Sequence, residues 1–389
     1  MLDVSLPELQ AHFENLKDAI ILITGGAAGF GRATAVTAAR HGSKVVIADI
    51  SSKAISSTIK LMTDEGLQCC APPNPTDVTK AESLRTAFEI CMTTYGRPPD
   101  IVFANAGVTR DDWFEDELEV AATKTQPAHP REPRDKTIAV NLDGALRTAE
   151  MAREYWAASP LKQGQKKRRL VIMSSMGGQT AIPGAAFYST SKHALLGYCK
   201  GLWADLEPQG DKAEYEVHVI CPFFANTSLQ RREALLVLAG FPLVPVDLVV
   251  NSMLFVASKP TSTSPGTVIL LPDDNVPAMA EWNEYNPLSL EWSHKMDARS
   301  TRYSTWTKVN GFRRFWKDVA RNYFGISEVK LSLVTFLAIF TVGILSKGIA
   351  KGISTLPVWS TMTTGALLGL ITSVRRGNKT KLKTKSARP

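Results

Sequence analysis

The chain has 389 residues, of which 44% are hydrophobic and 21% charged, and its formal net charge is +8. This composition excludes a disordered chain, a collagen and a small disulfide-stapled protein, and the length suffices for one large domain with appendages. Neither the five cysteines nor the six histidines show the spacing of a metal site, so we expect no bound metal and reduced thiols.

The positive charge is concentrated at the carboxyl end. Residues 375–389 contain seven basic residues and no acid, and subtracting these seven charges from +8 leaves +1 for the other 374 residues. A nearly neutral body argues against a nucleic-acid-binding protein. At the other end, residues 1–18 contain acids and no long apolar run, so we predict an N-terminal helix there and no signal peptide.

Residues 19–272 alternate short apolar runs with stretches of helical period. Continuous runs of valine and isoleucine are typical of strands buried on both faces, which occur in parallel sheets covered by helices. We therefore predict a Rossmann-like, doubly wound α/β domain over residues 19–272. Strands are predicted at 19–25, 44–50, 100–107, 169–175, 216–222 and 267–272, and helices at 31–42, near 52–65, near 135–157 and from about Tyr188.

A glycine-rich turn joins the first predicted strand to the first predicted helix. Glycines in this position let the backbone turn tightly and approach a pyrophosphate, which the amide groups of a helix N-terminus stabilise. The position between a strand and a helix favours a dinucleotide site over an ordinary turn. The residues expected to bind the dinucleotide here are Thr24, Gly25, Gly29, Phe30 and Gly31.

Asp49 lies at the end of the second predicted strand, 18 residues after Gly31. A carboxylate in this position can accept hydrogen bonds from both ribose hydroxyls and repels a 2′-phosphate. NAD is therefore the favoured cofactor. NADP stays an alternative, because Arg32 and Lys53 are near Asp49 in the sequence.

Three polar side chains are candidates for proton transfer. Tyr188 and Lys192 are four residues apart, which places them on one face of a helix. Positive charge from the lysine and from an oxidised nicotinamide would lower the pKa of the phenol toward neutral pH. Ser175 lies thirteen residues before Tyr188, at the end of the predicted strand 169–175, where ligands of open α/β sheets bind.

These residues, in this order and at this spacing, resemble the short-chain dehydrogenase/reductase family over about residues 19–272. Three further motifs carry the resemblance: Asp77-Val78, the run Asn105-Ala106-Gly107, and Asn141. The resemblance implies an oxidoreductase that interconverts a secondary alcohol and a ketone with NAD or NADP. The alternative from another class is a membrane scaffold or sensor that binds NAD without catalysis.

The resemblance also implies a role for each matching residue. Tyr188 would be the general acid/base, and Lys192 would lower its pKa and bind the nicotinamide ribose. Ser175 would hold the substrate oxygen, and Asn141 would support a water-linked proton relay. Further cofactor contacts are implied for Asp77, Val78, Asn105 and Thr227. Members of the family are often dimers or tetramers, so a homo-oligomer is implied as well.

Two features depart from the family pattern. Phe223 follows Pro222 where the family commonly has glycine, and the charged, proline-rich segment 108–136 is longer than usual. We interpret this segment as a solvated insertion, with a substrate flap or a partner site as the alternative. Residues 234–246 are almost wholly apolar, which favours a lipid, steroid, terpenoid or polyketide-like substrate. Packing of the same residues on the sheet is the competing interpretation.

The sequence of the carboxyl-terminal region indicates association with a membrane. Residues 273–330 form an aromatic, mixed-charge extension with an amphipathic helical stripe near its end, a pattern that suits a membrane interface. Segments 331–345 and 354–374 have fifteen and twenty-one uncharged residues, and the second is long enough to span the hydrocarbon core as a helix. We predict a transmembrane hairpin within 331–374, and helices packed in a soluble protein are the alternative.

Basic residues flank the predicted hairpin on both outer sides, which by the positive-inside tendency places the enzyme and the tail 375–389 in the cytosol. The tail can also bind anionic lipid, and nuclear localisation is the alternative interpretation of its charge. We therefore expect a membrane-associated enzyme of the endoplasmic reticulum or another endomembrane, with membrane lipid as a partner and no nucleic acid.

Overall fold

The computed structural model describes residues 2–109, 136–180, 182, 185–227, 243–260, 265–272 and 277–282. All of them belong to one compact unit, Met1–Gly311. The amphipathic stripe, the predicted hairpin, the basic tail, most of the insertion and residues 228–242 lie outside the described residues. Within the described ranges, no helix combines the length and the apolar character that a membrane span requires.

A single sheet forms the centre of the described structure. Its middle strands are rich in valine and isoleucine, and every residue of the strand Ile20–Thr24 is buried, which is the burial expected for a sheet covered on both faces. The strands are β1 (Leu2–Asp3), β2 (Ile20–Thr24), β3 (Lys44–Ala48), β4 (Cys69–Cys70), β5 (Ile101–Ala104), β6 (Arg168–Met173), β7 (Tyr215–Pro222), β8 (Thr267–Leu271) and β9 (Ala278–Glu281).

The strand order is β1-β9-β8-β7-β6-β5-β2-β3-β4. All pairs from β4 to β8 are parallel, whereas β9 pairs antiparallel with both β8 and β1. Strand β2 has β3 on one side and β5 on the other, with Ile21 opposite both Val45 and Ile101. The chain therefore changes direction across the sheet at β2, and a crevice for ligands opens at the carboxyl ends of β2 and β5.

Helices cover both faces of the sheet. One core cluster joins the sheet to α4, α5 and α6, and the other joins it to α2, α3 and α7. This arrangement confirms the predicted Rossmann-like, doubly wound α/β fold. The helices are α1 (Leu6–Gln10), α2 (Gly29–Arg40), α3 (Ser52–Asp64), α4 (Ala81–Tyr95), α5 (Ala145–Ala157), α6 (Ala186–Leu206) and α7 (Val246–Ser258).

The sequence analysis did not predict five of these elements: α4, α7, β1, β4 and β9. Helix α4 carries a recognisable stripe, because Leu84, Ala87, Phe88 and Cys91 are all buried at the spacing of one helix face. Helix α7 is buried almost all round, so its sequence shows no polar face and no helical period. Strands β4 and β9 have only two and four residues, too few for a periodic signal.

Residues 2–18 do not form the single predicted helix. They contain the short strand β1, helix α1 and a 3₁₀ segment at Phe13–Leu16. The backbone N–H of Ser5 donates to the Glu8 carboxylate (2.7 Å) at the start of α1. After α1 the chain turns, and this turn buries Phe13 and Leu16 in the core against which α2 and α7 also pack. Pairing of Leu2 and Asp3 with β9 holds the first residues extended, and a proline in the first turn is tolerated only at a helix start, so the helix begins at Leu6 and not at residue 1.

Candidate functional site

The glycine turn connects β2 to α2 at the crevice of the sheet. Gly25 has a φ of +65° and Gly29 a φ of +50°, a region that side-chain-bearing residues rarely adopt. A Cβ atom on Gly31 would lie 2.1 Å from the carbonyl oxygen of Gly25, which is far inside van der Waals contact. The turn can therefore form only with glycine at these positions.

Polar side chains at the end of β5 hold this turn in place. The Thr24 hydroxyl donates to the carbonyl of Phe103 (3.2 Å) and accepts from the backbone N–H of Asn105 (3.1 Å). The amide nitrogen of Asn105 donates to the carbonyls of Thr24 (3.0 Å) and Gly25 (3.3 Å). The sequence analysis expected Thr24 and Asn105 to contact the cofactor directly. In the structure their polar groups bind the backbone, so both residues shape the turn.

The N-terminus of α2 is suited to an anion. Its N-cap residue is Ala28, which offers no side-chain cap for the first amides of the helix, so these donors are left for a ligand. Phe30 packs its ring against the core, which leaves its backbone as the part that can contact a ligand. Thr227 lies beside this terminus, because its Cβ would be 3.8 Å from a Cβ on Gly29.

Asp49 follows the end of β3 and is 8% exposed. One carboxylate oxygen accepts from the backbone N–H of Ala27 and the other from that of Ser51, both at 3.0 Å. These bonds fix the carboxylate beside the glycine turn, where a ribose would lie. Each oxygen keeps a free acceptor site, so the predicted contact with ribose hydroxyls is compatible with this geometry.

Asp77 and Val78 form the turn before α4. The Asp77 carboxylate accepts from the hydroxyl (2.7 Å) and the backbone N–H (3.0 Å) of Thr79, and the Thr79 hydroxyl holds the pKa of Asp77 below its usual range. Val78 is buried and touches the backbone at Gly144, where a Cβ would be 2.5 Å from its methyl group. This contact joins the predicted adenine side of the site to the helix that carries Asn141.

Asn141 lies in a π-helical turn, Ala139–Gly144, directly before α5. Its side-chain oxygen accepts from the backbone N–H of Val108 (2.7 Å), and its side-chain nitrogen donates to the carbonyl of Val108 (2.9 Å). Both ends of the amide therefore bind the segment after β5. Each end of the amide keeps a second hydrogen-bonding site, so the relay role of Asn141 stays a prediction; the π-helical turn that carries it is a feature frequent at functional sites.

Ser175, Tyr188 and Lys192 come together at the carboxyl ends of β6 and β7. The Ser175 hydroxyl donates to the carbonyl of Pro222 (3.2 Å) and accepts from the backbone N–H of Gly177 (3.0 Å). It lies beside the Tyr188 ring, because a Cβ on Gly177 would be 3.4 Å from this hydroxyl and 3.2 Å from the ring. The Lys192 ammonium donates to the carbonyl of Met173 (2.8 Å) and lies 5.8 Å from the centre of the Tyr188 ring. The three side chains thus form one cluster.

Burial controls the charge states in this cluster. It lowers the pKa of Lys192 to about 8. Burial also raises the pKa of Tyr188, although the neighbouring Ser175 hydroxyl lowers it to a smaller extent. Desolvation is therefore the largest effect on the phenol here, and the lowering of its pKa by Lys192 together with an oxidised nicotinamide stays a prediction.

Three supporting groups were missed by the sequence analysis. The backbone carbonyls of Met173 and Pro222 anchor Lys192 and Ser175, and backbone groups leave no signal in the residue types. Cys221 is fully buried at the end of β7, and the side-chain nitrogen of Gln179 approaches its sulfur (3.9 Å). Burial raises the pKa of Cys221 to about 12, so the thiol is an uncharged packing group behind the cluster.

The geometry fits a dinucleotide. The glycine turn, the uncapped helix N-terminus and the Asp49 carboxylate lie at one end of the crevice, and the Ser175–Tyr188–Lys192 cluster lies at the other end. Pro222 and Thr227, five residues apart, touch the cluster and the glycine turn respectively. The predicted cofactor and catalytic residues therefore line one continuous edge of the sheet. Among the described residues no group of side chains could hold a metal ion.

Comparisons with known proteins agree with this geometry. The family model described as short chain dehydrogenase matches residues 19–235, more than half of the chain. The chain therefore belongs to the short-chain dehydrogenase family, and it is an NAD(P)-dependent oxidoreductase that acts on CH–OH groups.

Individual relatives share this region. A (3R)-3-hydroxyacyl-CoA dehydrogenase of Canis lupus familiaris is 26% identical over 222 residues, which cover 56% of this chain and 78% of the relative. A 3-oxoacyl-(acyl-carrier-protein) reductase of Thermotoga maritima is 30% identical over 261 residues, 65% of this chain and 96% of the relative. The crystal structure of a 3-ketoacyl-(acyl-carrier-protein) reductase from Brucella melitensis, complexed with NADH, has the same fold, with a TM-score of 0.52 and 23% identity over 66% of this chain and 98% of that one.

Replacing Gly31 by alanine should weaken cofactor binding. The added methyl would meet the Gly25 carbonyl at 2.1 Å, and overpacking of this kind costs about 1–3 kcal/mol, so we expect the Kd for NADH to rise about tenfold or more. Titration of NADH fluorescence measures this change. Gly197→Ala is the matched control, because a Cβ on Gly197 in α6 meets nothing within 4 Å. Equal affinity in the two folded variants would contradict the proposed role of the turn.

The pKa of Lys192 predicts a pH-dependent stability. Its folded pKa is about 8, against 10.5 for an ordinary lysine, so the unfolded chain binds more protons between these values. The stabilisation of the wild type relative to Lys192→Met should therefore increase with rising pH across this window, by up to about 3 kcal/mol. Urea unfolding at pH 7.5 and pH 10 would detect it. Lys200→Met removes an exposed lysine of the same helix and should show no such trend; a trend equal in both variants would refute the assignment.

Proposed function

We propose that the chain interconverts a secondary alcohol and a ketone of an apolar substrate, with NAD as the favoured cofactor. The observation that carries this proposal is the cluster of Ser175, Tyr188 and Lys192 at the crevice that also holds the glycine turn. A hydroxyl that binds oxygen and a phenol that exchanges a proton are the groups required at a carbinol that is being oxidised.

In the direction of oxidation, the substrate hydroxyl would bind between Ser175 and Tyr188. The bound dinucleotide would supply the acceptor for the hydride of the carbinol carbon and, when oxidised, a positive charge near the phenol. Tyr188 would take the hydroxyl proton, and Ser175 would hold the oxygen as the carbonyl forms. Lys192, fixed by the Met173 carbonyl, would keep its positive end near the phenol ring and favour the phenolate.

The preference for NAD rests on Asp49. Its carboxylate is fixed by the backbone N–H groups of Ala27 and Ser51, so it cannot move away from an incoming ribose without breaking two hydrogen bonds. A 2′-phosphate would meet this negative charge at close range, whereas ribose hydroxyls would donate to it. Comparison of the two cofactors in one binding titration measures the preference.

An apolar substrate is supported by the surroundings of the cluster. The side chain of Ile182 lies near Gly177 and the Tyr188 ring, since a Cβ on Gly177 would be 2.7 Å from Ile182 and 3.2 Å from Tyr188. Phe223 follows Pro222, whose carbonyl binds Ser175, and its ring contacts that of Phe224 (centroids 4.6 Å apart). The relatives named above act on hydroxyacyl and oxoacyl compounds by their names, so 3-hydroxyacyl thioesters are the first substrates to test.

Tyr188→Phe should reduce turnover by about 10²-fold to 10⁴-fold, the usual contribution of a general acid/base, while NADH binds as before. Turnover is followed through NADH absorbance with 3-hydroxyacyl thioesters and other apolar secondary alcohols. Tyr155→Phe is the control, because Tyr155 stacks on Phe88 in the core (centroids 5.1 Å apart) and should leave turnover unchanged. If wild-type protein bound NADH but oxidised no member of the panel, the non-catalytic scaffold would be favoured instead.

We also propose that the enzyme is held at an endomembrane with its catalytic domain in the cytosol. The support is the uncharged segments 331–345 and 354–374 and the basic residues on their outer flanks, as argued from the sequence. An anchor of this kind would place the crevice close to a lipid-soluble substrate.

Carbonate extraction tests the anchor. We expect the full chain to stay in the membrane pellet and a chain truncated at about residue 325 to appear in the supernatant, because peripheral proteins are released and membrane spans are not. Recovery of the full chain in the supernatant would rule out the hairpin, and NADH binding by the truncated chain controls for its folding.

A further inference from the structure

The structure holds a cavity of about 880 Å³ at the edge of the sheet opposite to the glycine turn. Its lining includes residues at the beginnings of parallel strands: Ala19 precedes β2, Asp100 precedes β5 and Arg168 begins β6. A five-residue parallel strand is about 17 Å long, so the cavity is well separated from the crevice described above. A ligand as large as a nucleotide would fit a cavity of this volume.

Five lysines line the cavity, and one of them, Lys259, forms an ion pair with Glu281 (3.4 Å). The other four form no ion pair with an acidic side chain of the described residues: Lys17, Lys162, Lys166 and Lys167. Two of them are held by neutral oxygens. The Lys166 ammonium donates to the side-chain oxygen of Asn15 (2.9 Å), and the Lys167 ammonium donates to the carbonyl of Gly210 (3.1 Å). Neutral acceptors fix these ammonium groups without cancelling their charge.

Acidic residues at the cavity do not compensate for this charge. The lining contains two aspartates, Asp18 and Asp100. Asp100 forms an ion pair with Arg97 and accepts from the backbone N–H of Ile20 (2.8 Å). Asp18 alone is left opposite the four lysines, although the chain as a whole is nearly neutral outside its tail. The cavity is therefore the place where the described domain collects positive charge.

Two arginines form the buried part of the lining. Arg168 and Arg169 are each 5% exposed, and Arg168 donates to the backbone carbonyls of Trp156 and Ser159. The guanidinium of Arg169 is 2.5 Å from the Glu216 carboxylate and donates to the carbonyl of Lys259 (3.0 Å). Its Nε has no acceptor within the described part of the chain. This Nε is closed to solvent, so the exposed lysines are the groups that can reach a ligand in the cavity.

We propose that this cavity is a second ligand site, which binds an anion carrying several negative charges in the form of a diphosphate or triphosphate group. The unpaired lysines that line the cavity attract negative charge, and their ammonium groups can donate hydrogen bonds to phosphate oxygens. A single carboxylate would leave most of these groups unpaired, whereas a polyphosphate matches their number. The ligand is either a soluble phosphorylated molecule or a phosphorylated lipid headgroup.

Isothermal titration of the full chain with inorganic pyrophosphate and tripolyphosphate tests the site. Saturating NAD is present, so that the glycine turn does not compete for the probe. Lys17→Ala/Lys166→Ala should raise the Kd for tripolyphosphate about tenfold or more. Lys60→Ala/Lys200→Ala removes the same charge from exposed positions on α3 and α6 and should leave the Kd near the wild-type value. Lys162→Ala/Lys166→Ala replaces the first double variant if circular dichroism shows that the first does not fold. Both variants remove lysines that line the cavity and are called rim variants below.

Vesicles distinguish the two sources of phosphate. Flotation is compared for vesicles of phosphatidylcholine alone and with a phosphatidylinositol bisphosphate. A rim variant that loses tripolyphosphate affinity but floats as the Lys60→Ala/Lys200→Ala control does supports a soluble ligand. A rim variant that loses both supports a headgroup. The proposal is overturned if the wild-type chain binds neither probe at millimolar concentration, or if the rim and control variants bind tripolyphosphate equally. Both readouts are independent of turnover, so they do not depend on the assignment of Tyr188.

Discussion

The hydrogen bond from the Lys192 ammonium to the carbonyl of Met173 (2.8 Å) is the constraint on which the site depends. It attaches helix α6 to the last residue of β6, and Tyr188 stands one turn before Lys192 on the same helix. The bond is formed by a side chain that is only 4% exposed, so the ammonium has little water to replace the carbonyl. The position of the phenol is therefore set by the sheet, and the phenol does not have to be ordered by the substrate.

Burial and the charge of a ligand have opposite effects on the ionisation of Tyr188. Burial disfavours charge on both Lys192 and Tyr188. A ligand that brings positive charge to the crevice would shift this balance toward the phenolate.

The sequence predicted the central strands well, for physical reasons. Continuous Val and Ile runs are typical of strands buried on both faces, and a glycine turn between a strand and a helix is typical of a dinucleotide site. Other features could not be read from residue types. Helix α7 is buried on nearly all sides, so it lacks a period, and the amides of Asn105 and Asn141 bind backbone groups that become neighbours only through the strand order. The basic cavity could not be predicted for the same reason. Lys17 and Lys166 are far apart in the chain, and only the sheet brings them together.

The short strand β1 has a consequence for the domain's boundary. Leu2 and Asp3 pair with Met279 and Ala278 of β9, so the first and last described segments close the same side of the sheet. A two-residue strand at that position offers few free backbone groups to a neighbouring molecule, which limits addition of a foreign strand. Residues 1–4 are therefore part of the sheet's edge. Their removal would expose the backbone of β9 and create an edge that can pair with another chain.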